Sequence, residues 1–398
     1  MSTYTTLIIL SGLVIFSYLF DLISSKTKVP SVLLLLFLGI GLRYSVDYFE
    51  LGSFNFLYIL PALGTLGLIL IVFEGALELK YERSKNKLIW RSLLSSLVVL
   101  VLTSTVVTFI LQEFTGESAY ICFVNSIPFS IVSSAIAISA AATLDKAKRE
   151  YIIYEASFAD ILGIILFNFV VQNPEIGVTS FINLGIETLL IVVMSVIFCL
   201  FLLYLIGRLS HHVKFFLIIS ILVLLYAFGE LYHLSALILI LAFGLFLNNA
   251  DQIQIPFFRK YFLYPGLSRD LSQLLQLSAE SAFIMRTFFF IIFGFTMDIY
   301  ELKNLAVLVF GALILIAIYV VRFLSLKYVA KSAMLPELFI APRGLISILL
   351  YYNLPEHLKI KSMETGLLFL VILSTSIIMS IGFVIYGKRK KVVPAMDL

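Results

Sequence analysis

The chain has 398 residues, 61% of them hydrophobic and 13% charged, with a formal net charge of +4. Soluble globular chains hold about 45–50% apolar and about 25% charged residues, so a soluble domain is excluded. The two cysteines, Cys122 and Cys199, lie within apolar runs and point to neither a disulfide framework nor a zinc site.

The hydrophobic excess is spread along the chain in runs of about 20 residues, the length that crosses about 30 Å of hydrocarbon at about 1.5 Å per residue. In chain order the sequence predicts thirteen spans, near residues 5–23, 29–43, 55–78, 88–112, 119–143, 150–172, 182–206, 213–231, 234–248, 275–297, 304–325, 334–353 and 364–386. The expected fold class is an all-α polytopic membrane protein, a single integral domain over 1–398. The first run is too long for a signal-peptide core and lacks a basic leader and a small-residue cleavage site, so it is read as a span. The second and ninth runs are the shortest. Residues 249–274 form the longest loop, in which Phe257, Phe258, Tyr261 and Phe262 read as an interfacial stretch.

Charge gives an independent check, because lysine and arginine collect on the cytoplasmic side. With the N-terminus outside, the inner loops and the tail hold 22 of the 28 basic residues, Arg322 among them. The outer loops hold 4, namely Arg43, Lys303, Lys359 and Lys361, and Arg286 and Arg343 fall within spans. The C-terminus is then cytoplasmic, with residues 388–398 as a short basic tail facing anionic headgroups. Basic residues that follow topology in this way give no support to nucleic-acid binding.

A charge at membrane depth costs several kcal/mol, roughly, unless it is paired or wet. Six residues carry that cost in this reading: Glu74, Glu155, Asp160, Glu280, Arg286 and Arg343. Glu155 and Asp160 share the sixth span; five residues at about 100° each set them about 140° apart, so they serve different partners. Arg343, mid-span in Ala341-Pro342-Arg343-Gly344, is the expected partner of Glu155. Asp160 is then left for a proton or a metal cation; its bland alternative is a bond to Ser157 or Asn168. Glu280 and Arg286, six residues apart on the tenth span, face away from each other and remain unassigned.

Two spans read as interrupted. The fifth contains Ile127-Pro128-Phe129-Ser130 followed by Ser133-Ser134-Ala135, and the twelfth contains Pro342-Arg343-Gly344. Proline removes a backbone donor and crowds the preceding turn. Breaks at matching places in oppositely directed halves are the sequence pointer to an inverted-repeat transporter, with its site near the midplane. Ordinary kinks are the alternative.

Phe73-Glu74-Gly75-Ala76-Leu77-Glu78-Leu79 resembles the F-E-G-G-L-E-L signature of the monovalent cation/proton antiporters. The run from Glu155 to Asp160 is similar to that superfamily's acidic helix, and Arg343 sits where the electroneutral sodium/proton exchanger branch carries an arginine. The resemblance covers essentially the whole chain. It implies an inverted-repeat antiporter fold with two crossed broken helices, a homodimer, an interface part over about 1–80 and 182–298, and a core over about 88–172 and 304–387 that moves as an elevator. It implies Asp160 as the carboxylate that takes the cation or the proton, Ser133, Ser134 and Ser157 beside it, Glu74 at the funnel edge, and Glu155–Arg343 as a structural ion pair. Two departures from the pattern stand out: Ala159 precedes Asp160 where the family has Asn or Asp, and Ser133-Ser134-Ala135 replaces Thr-Asp-Pro.

The expected activity is exchange of sodium, lithium or potassium for protons, one for one, in a bacterial inner membrane, with no cofactor and with lipid as the surroundings. An ion channel or ion-gated sensor on the same fold is the alternative, and nothing resembles a selectivity-filter loop. An intramembrane enzyme has less support, since the chain lacks an H-E-x-x-H motif and its four histidines lie at or near loops.

Overall fold

The computed structural model describes residues 3–27, 29–49, 60–79, 81–141, 144–175, 177–208, 215–232, 234–263, 266–297, 299–332, 334–360 and 365–392. All regular structure among them is helical. The helices in chain order are α1 (Thr3–Thr27), α2 (Ser31–Tyr48), α3 (Leu60–Glu78), α4 (Asn86–Thr115), α5 (Ala119–Ser130), α6 (Ser134–Ala141), α7 (Lys146–Gln172), α8 (Val178–Arg208), α9 (Phe215–Leu231), α10 (Ala236–Asn248), α11 (Pro256–Tyr261), α12 (Leu267–Thr296), α13 (Leu305–Leu324), α14 (Leu345–Tyr352) and α15 (Thr365–Val392). Each expected span meets one helix or one broken segment. Eight segments among the described residues are long and apolar enough to cross a membrane, and four shorter apolar helices accompany them. The short helix α11 falls in the loop read as interfacial. The start of the third span (55–59), residues 209–214, Asp298 and residues 393–398 of the tail lie outside the described residues.

Helix ends follow local chemistry. Ser118 caps α5, its Oγ accepting from the Ile121 N–H at 3.3 Å, and Asn304 caps α13, its side chain accepting from the Ala306 N–H at 3.0 Å. At α15 a distant residue does this work: Glu301 accepts from the Gly366 N–H at 2.6 Å.

The chain divides into two compact units. One comprises Met1–Pro61, Lys87–Gly163 and Arg286–Leu398. Within it α2 and α12 meet backbone to backbone. A Cβ at Gly39 would collide with the Ile291 carbonyl and stand 2.9 Å from the Phe295 nitrogen, and one at Gly294 would collide with the Leu36 carbonyl. Glycine is required there by space: small residues let membrane helices approach closely where apolar lipid offers no hydrophobic drive. Arg43, read as a loop residue, reaches from α2 to the last turn of α12 and donates to the Met297 carbonyl at 2.6 Å.

The other unit comprises Ala62–Asn86 and Ile164–Met285. In it α10 packs against the end of α3. Phe243 stacks on Phe73 at 6.0 Å between ring centroids, and a Cβ at Gly244 would stand 2.6 Å from Ala76 Cβ. Asn248 fastens the same junction by donating to the Leu77 carbonyl at 2.7 Å.

Candidate functional site

The fifth and twelfth spans are both broken, as their prolines predict. The fifth is α5, an extended stretch at 131–133, and α6. The twelfth is a single 3₁₀ turn at Glu337–Phe339, a non-helical stretch at 340–344, and α14. A continuous helix would bond the Ser133 N–H to the Phe129 carbonyl, four residues back. The break separates these two groups, and the second broken segment satisfies both. Ser133 donates instead to the Pro342 carbonyl at 2.8 Å, and the Phe129 carbonyl accepts from Arg343 Nε at 2.6 Å. The two chains approach so closely that a Cβ on Gly344 would collide with Ser133 Oγ and lie 2.7 Å from Ser133 Cβ.

Charge completes the junction. Arg343 is fully buried at the C-terminal end of α5, where aligned carbonyls carry partial negative charge. Its other contacts are the Ala341 carbonyl, 2.9 Å from one terminal nitrogen, and Thr375, whose hydroxyl accepts from the Arg343 backbone N–H at 3.1 Å. Asp160, 9% exposed, stands at the opposite kind of end: its Oδ2 accepts from the N–H of Ser134, the first residue of α6, at 3.3 Å. An anion at a helix N-terminus meets partial positive charge and free N–H groups. The two half-helices thus face a cation at one end and a carboxylate at the other.

The expected Glu155–Arg343 pair is not formed. Glu155 pairs with Arg322 of α13, Oε2 to the terminal nitrogen at 2.8 Å, both side chains almost wholly buried. Its Oε1 accepts from Ser95 Oγ at 2.7 Å and from the Tyr151 hydroxyl at 2.8 Å. The physical reason is that Arg343 is held by carbonyls freed at the break, whereas Arg322 enters the protein from a neighbouring helix. Arg322 Nε also donates to the Glu337 carbonyl at 3.1 Å, and the buried Glu337 carboxylate has Lys148 Nζ at 3.5 Å. The charge count placed Arg322 with the inner loops, although the eleventh span as read, 304–325, contains it. A signal was present: the apolar run continues past it through Phe323, Leu324 and Leu326 before the next charge at Lys327. Ser95 and Thr375 carry no comparable signal.

The remaining candidates separate. Ser133 and Ser157 are buried, and Ser134 contributes its backbone N–H. Asn168, the alternative partner of Asp160, donates to Ser235 Oγ at 2.6 Å. Glu74 is buried on α3 in the other unit, while on α12 Glu280 is exposed and Arg286 half-buried.

An all-helical membrane protein whose two broken spans exchange their lost hydrogen bonds, with a buried carboxylate at the junction, has the form of a secondary transporter. Comparison with known proteins carries this further. The sequence matches the family described as sodium/hydrogen exchanger, transmembrane, over residues 11–389. The chain belongs to this family, the monovalent cation/proton antiporters. Two solved structures of the sodium proton antiporter MjNhaP1 from Methanocaldococcus jannaschii are similar in fold. The one at pH 8 has a TM-score of 0.71 at 18% identity, covering 96% of this chain and 97% of its own. The other, from an electron-microscopy map, has a TM-score of 0.68 at 18% identity, covering 98% and 97%. None of the curated proteins matches the chain.

Proposed function

We propose that the protein exchanges one sodium, lithium or potassium ion for one proton by alternating access, with Asp160 as the carrier carboxylate. The observation that carries this reading is the Asp160 carboxylate held by the Ser134 N–H at the junction of the two broken spans. A carboxylate there is neutralised by a proton or by a monovalent cation but not by both, so each ion drives release of the other. Trading one positive charge for another on one carboxylate moves no net charge, which supports electroneutral exchange. Ser133, Ser134 and Ser157 are the neighbouring oxygen ligands in this reading, and Glu74 lines the approach. Sodium is favoured by the family and by the likeness to the archaeal sodium proton antiporter. Elevator motion and a homodimer come from the family likeness. The outer N-terminus and cytoplasmic C-terminus come from the distribution of lysine and arginine.

The test is a pH-jump assay in proteoliposomes against sodium, lithium and potassium, with and without an imposed voltage. Wild type is expected to move protons in response to cation, with a rate independent of voltage. Asp160→Asn is expected to be silent while eluting as a folded protein. Full activity in that variant overturns the carrier assignment, and cation conductance without proton movement favours a channel.

A further inference from the structure

Several hydroxyls in this protein satisfy themselves on their own helix, while seven buried serines and threonines among the described residues, Ser17, Ser92, Thr103, Ser157, Ser278, Ser347 and Ser376, have no hydrogen-bond partner. Thr108 donates to the Ser104 carbonyl at 2.7 Å, Thr375 to Val371 at 2.8 Å and Ser380 to Ser376 at 2.8 Å. Ser347 does not. It is 1% exposed, and its Oγ has no hydrogen-bond partner among the described residues. The Gly344 carbonyl behind it is taken by the Ile348 N–H at 3.2 Å. A buried hydroxyl without a partner has lost its water and gained nothing in exchange.

Its position is as informative as its lack of a partner. Ser347 lies in the first turn of α14, three residues after Gly344. That is roughly 4.5 Å further along the helix and about 60° from the Gly344 direction. Gly344 abuts Ser133, and the next residue, Ser134, holds Asp160. On α7, Ser157, 4% exposed and three residues before Asp160, also has an Oγ without a hydrogen-bond partner among the described residues. The sequence supplies alanine at 159 and at 135, so side-chain oxygens around the carboxylate are few.

We infer that the Ser347 hydroxyl is an oxygen ligand for the transported monovalent cation, contributed by the second broken span to a site completed by Asp160 and Ser157. A hard cation leaving water needs oxygen atoms in place of its hydration shell. A hydroxyl already desolvated and without a partner supplies one without breaking an existing bond. The inference rests on the reading of Asp160 as the carrier.

The experiment measures cation-dependent proton movement in proteoliposomes for wild type, Ser347→Ala, Ser347→Thr and Asp160→Asn, with sodium and lithium titrated separately. Ser347→Ala is expected to raise the apparent KM for sodium about tenfold. The maximal rate stays within about twofold and the sodium-to-lithium preference changes. Ser347→Thr, which keeps the hydroxyl, restores the sodium KM. The melting temperature of Ser347→Ala in detergent is expected to equal or exceed that of wild type, because an unsatisfied buried group is removed. Unchanged KM values and preference in Ser347→Ala, with Asp160→Asn silent, overturn the ligand assignment and leave the carrier standing. A lower melting temperature, or a lower maximal rate at unchanged KM, overturns it in favour of a packing role. An active Asp160→Asn variant overturns the carrier reading itself.

Discussion

Removing either member of the Glu155–Arg322 pair is expected to destabilise the protein far more than a surface substitution would. The carboxylate is 3% and the guanidinium 1% exposed, so neither regains water when its partner is lost. Breaking a buried pair from one side costs about 3–5 kcal/mol, because the survivor is left as an uncompensated charge. Glu155→Ala also removes an acceptor from the Ser95 and Tyr151 hydroxyls, which keep only each other and Ser325 as partners. Their loss falls within that range rather than adding to it, since grouped residues are not additive. Replacing both members with apolar residues, Glu155→Leu with Arg322→Met, is expected to recover much of the loss, because no buried charge is then orphaned. The assay is reversible unfolding in mixed micelles, arranged as two double-mutant cycles, Glu155 with Arg322 and Glu155 with Arg343. A coupling of about 2–3 kcal/mol is expected in the first cycle and below about 0.5 kcal/mol in the second. The reasoning is refuted if Arg322→Met is as stable as wild type, or if Glu155 couples more strongly to Arg343.

Gly39→Ala is expected to cost about 1–3 kcal/mol or more by overpacking, because the new methyl meets the backbone of Ile291 and Phe295 rather than a movable side chain. Gly67→Ala, whose Cβ would find only Met285 Cβ at 3.5 Å, serves as the neutral or stabilising control in the same thermal-unfolding assay. Arg343→Lys keeps the charge but loses the planar fork that donates to the Phe129 and Ala341 carbonyls together. It is expected to lower transport by about tenfold or more, with stability reduced by about 1–3 kcal/mol; wild-type rates and wild-type melting in this variant would contradict the role of Arg343 at the break.

The site was partly legible because membrane chemistry makes charges and prolines conspicuous. Asp160 and Glu155 stand out in an apolar helix, and a turn of about 100° per residue already sends them to different partners. Pro128 and Pro342 announce the two breaks for local reasons. The bonding at the breaks was not legible. That Ser133 would donate to Pro342, and that Arg343 would replace the donor lost at Phe129, depends on two segments more than 200 residues apart meeting in register.

The sequence by itself determined that the chain is a helical membrane protein, where its spans run, where two of them break, and that Glu74, Glu155 and Asp160 bear the cost of burial. Each of these follows from hydropathy, helix period or proline, all of which act over a few residues. Only the tertiary structure decided who pairs with whom. Arg322 stands 167 residues from Glu155, and Ser95 stands 60 residues from it on the other side. In a low-dielectric interior the nearest properly aimed donor wins, and which helix brings that donor close is a property of packing that no local pattern in the chain encodes.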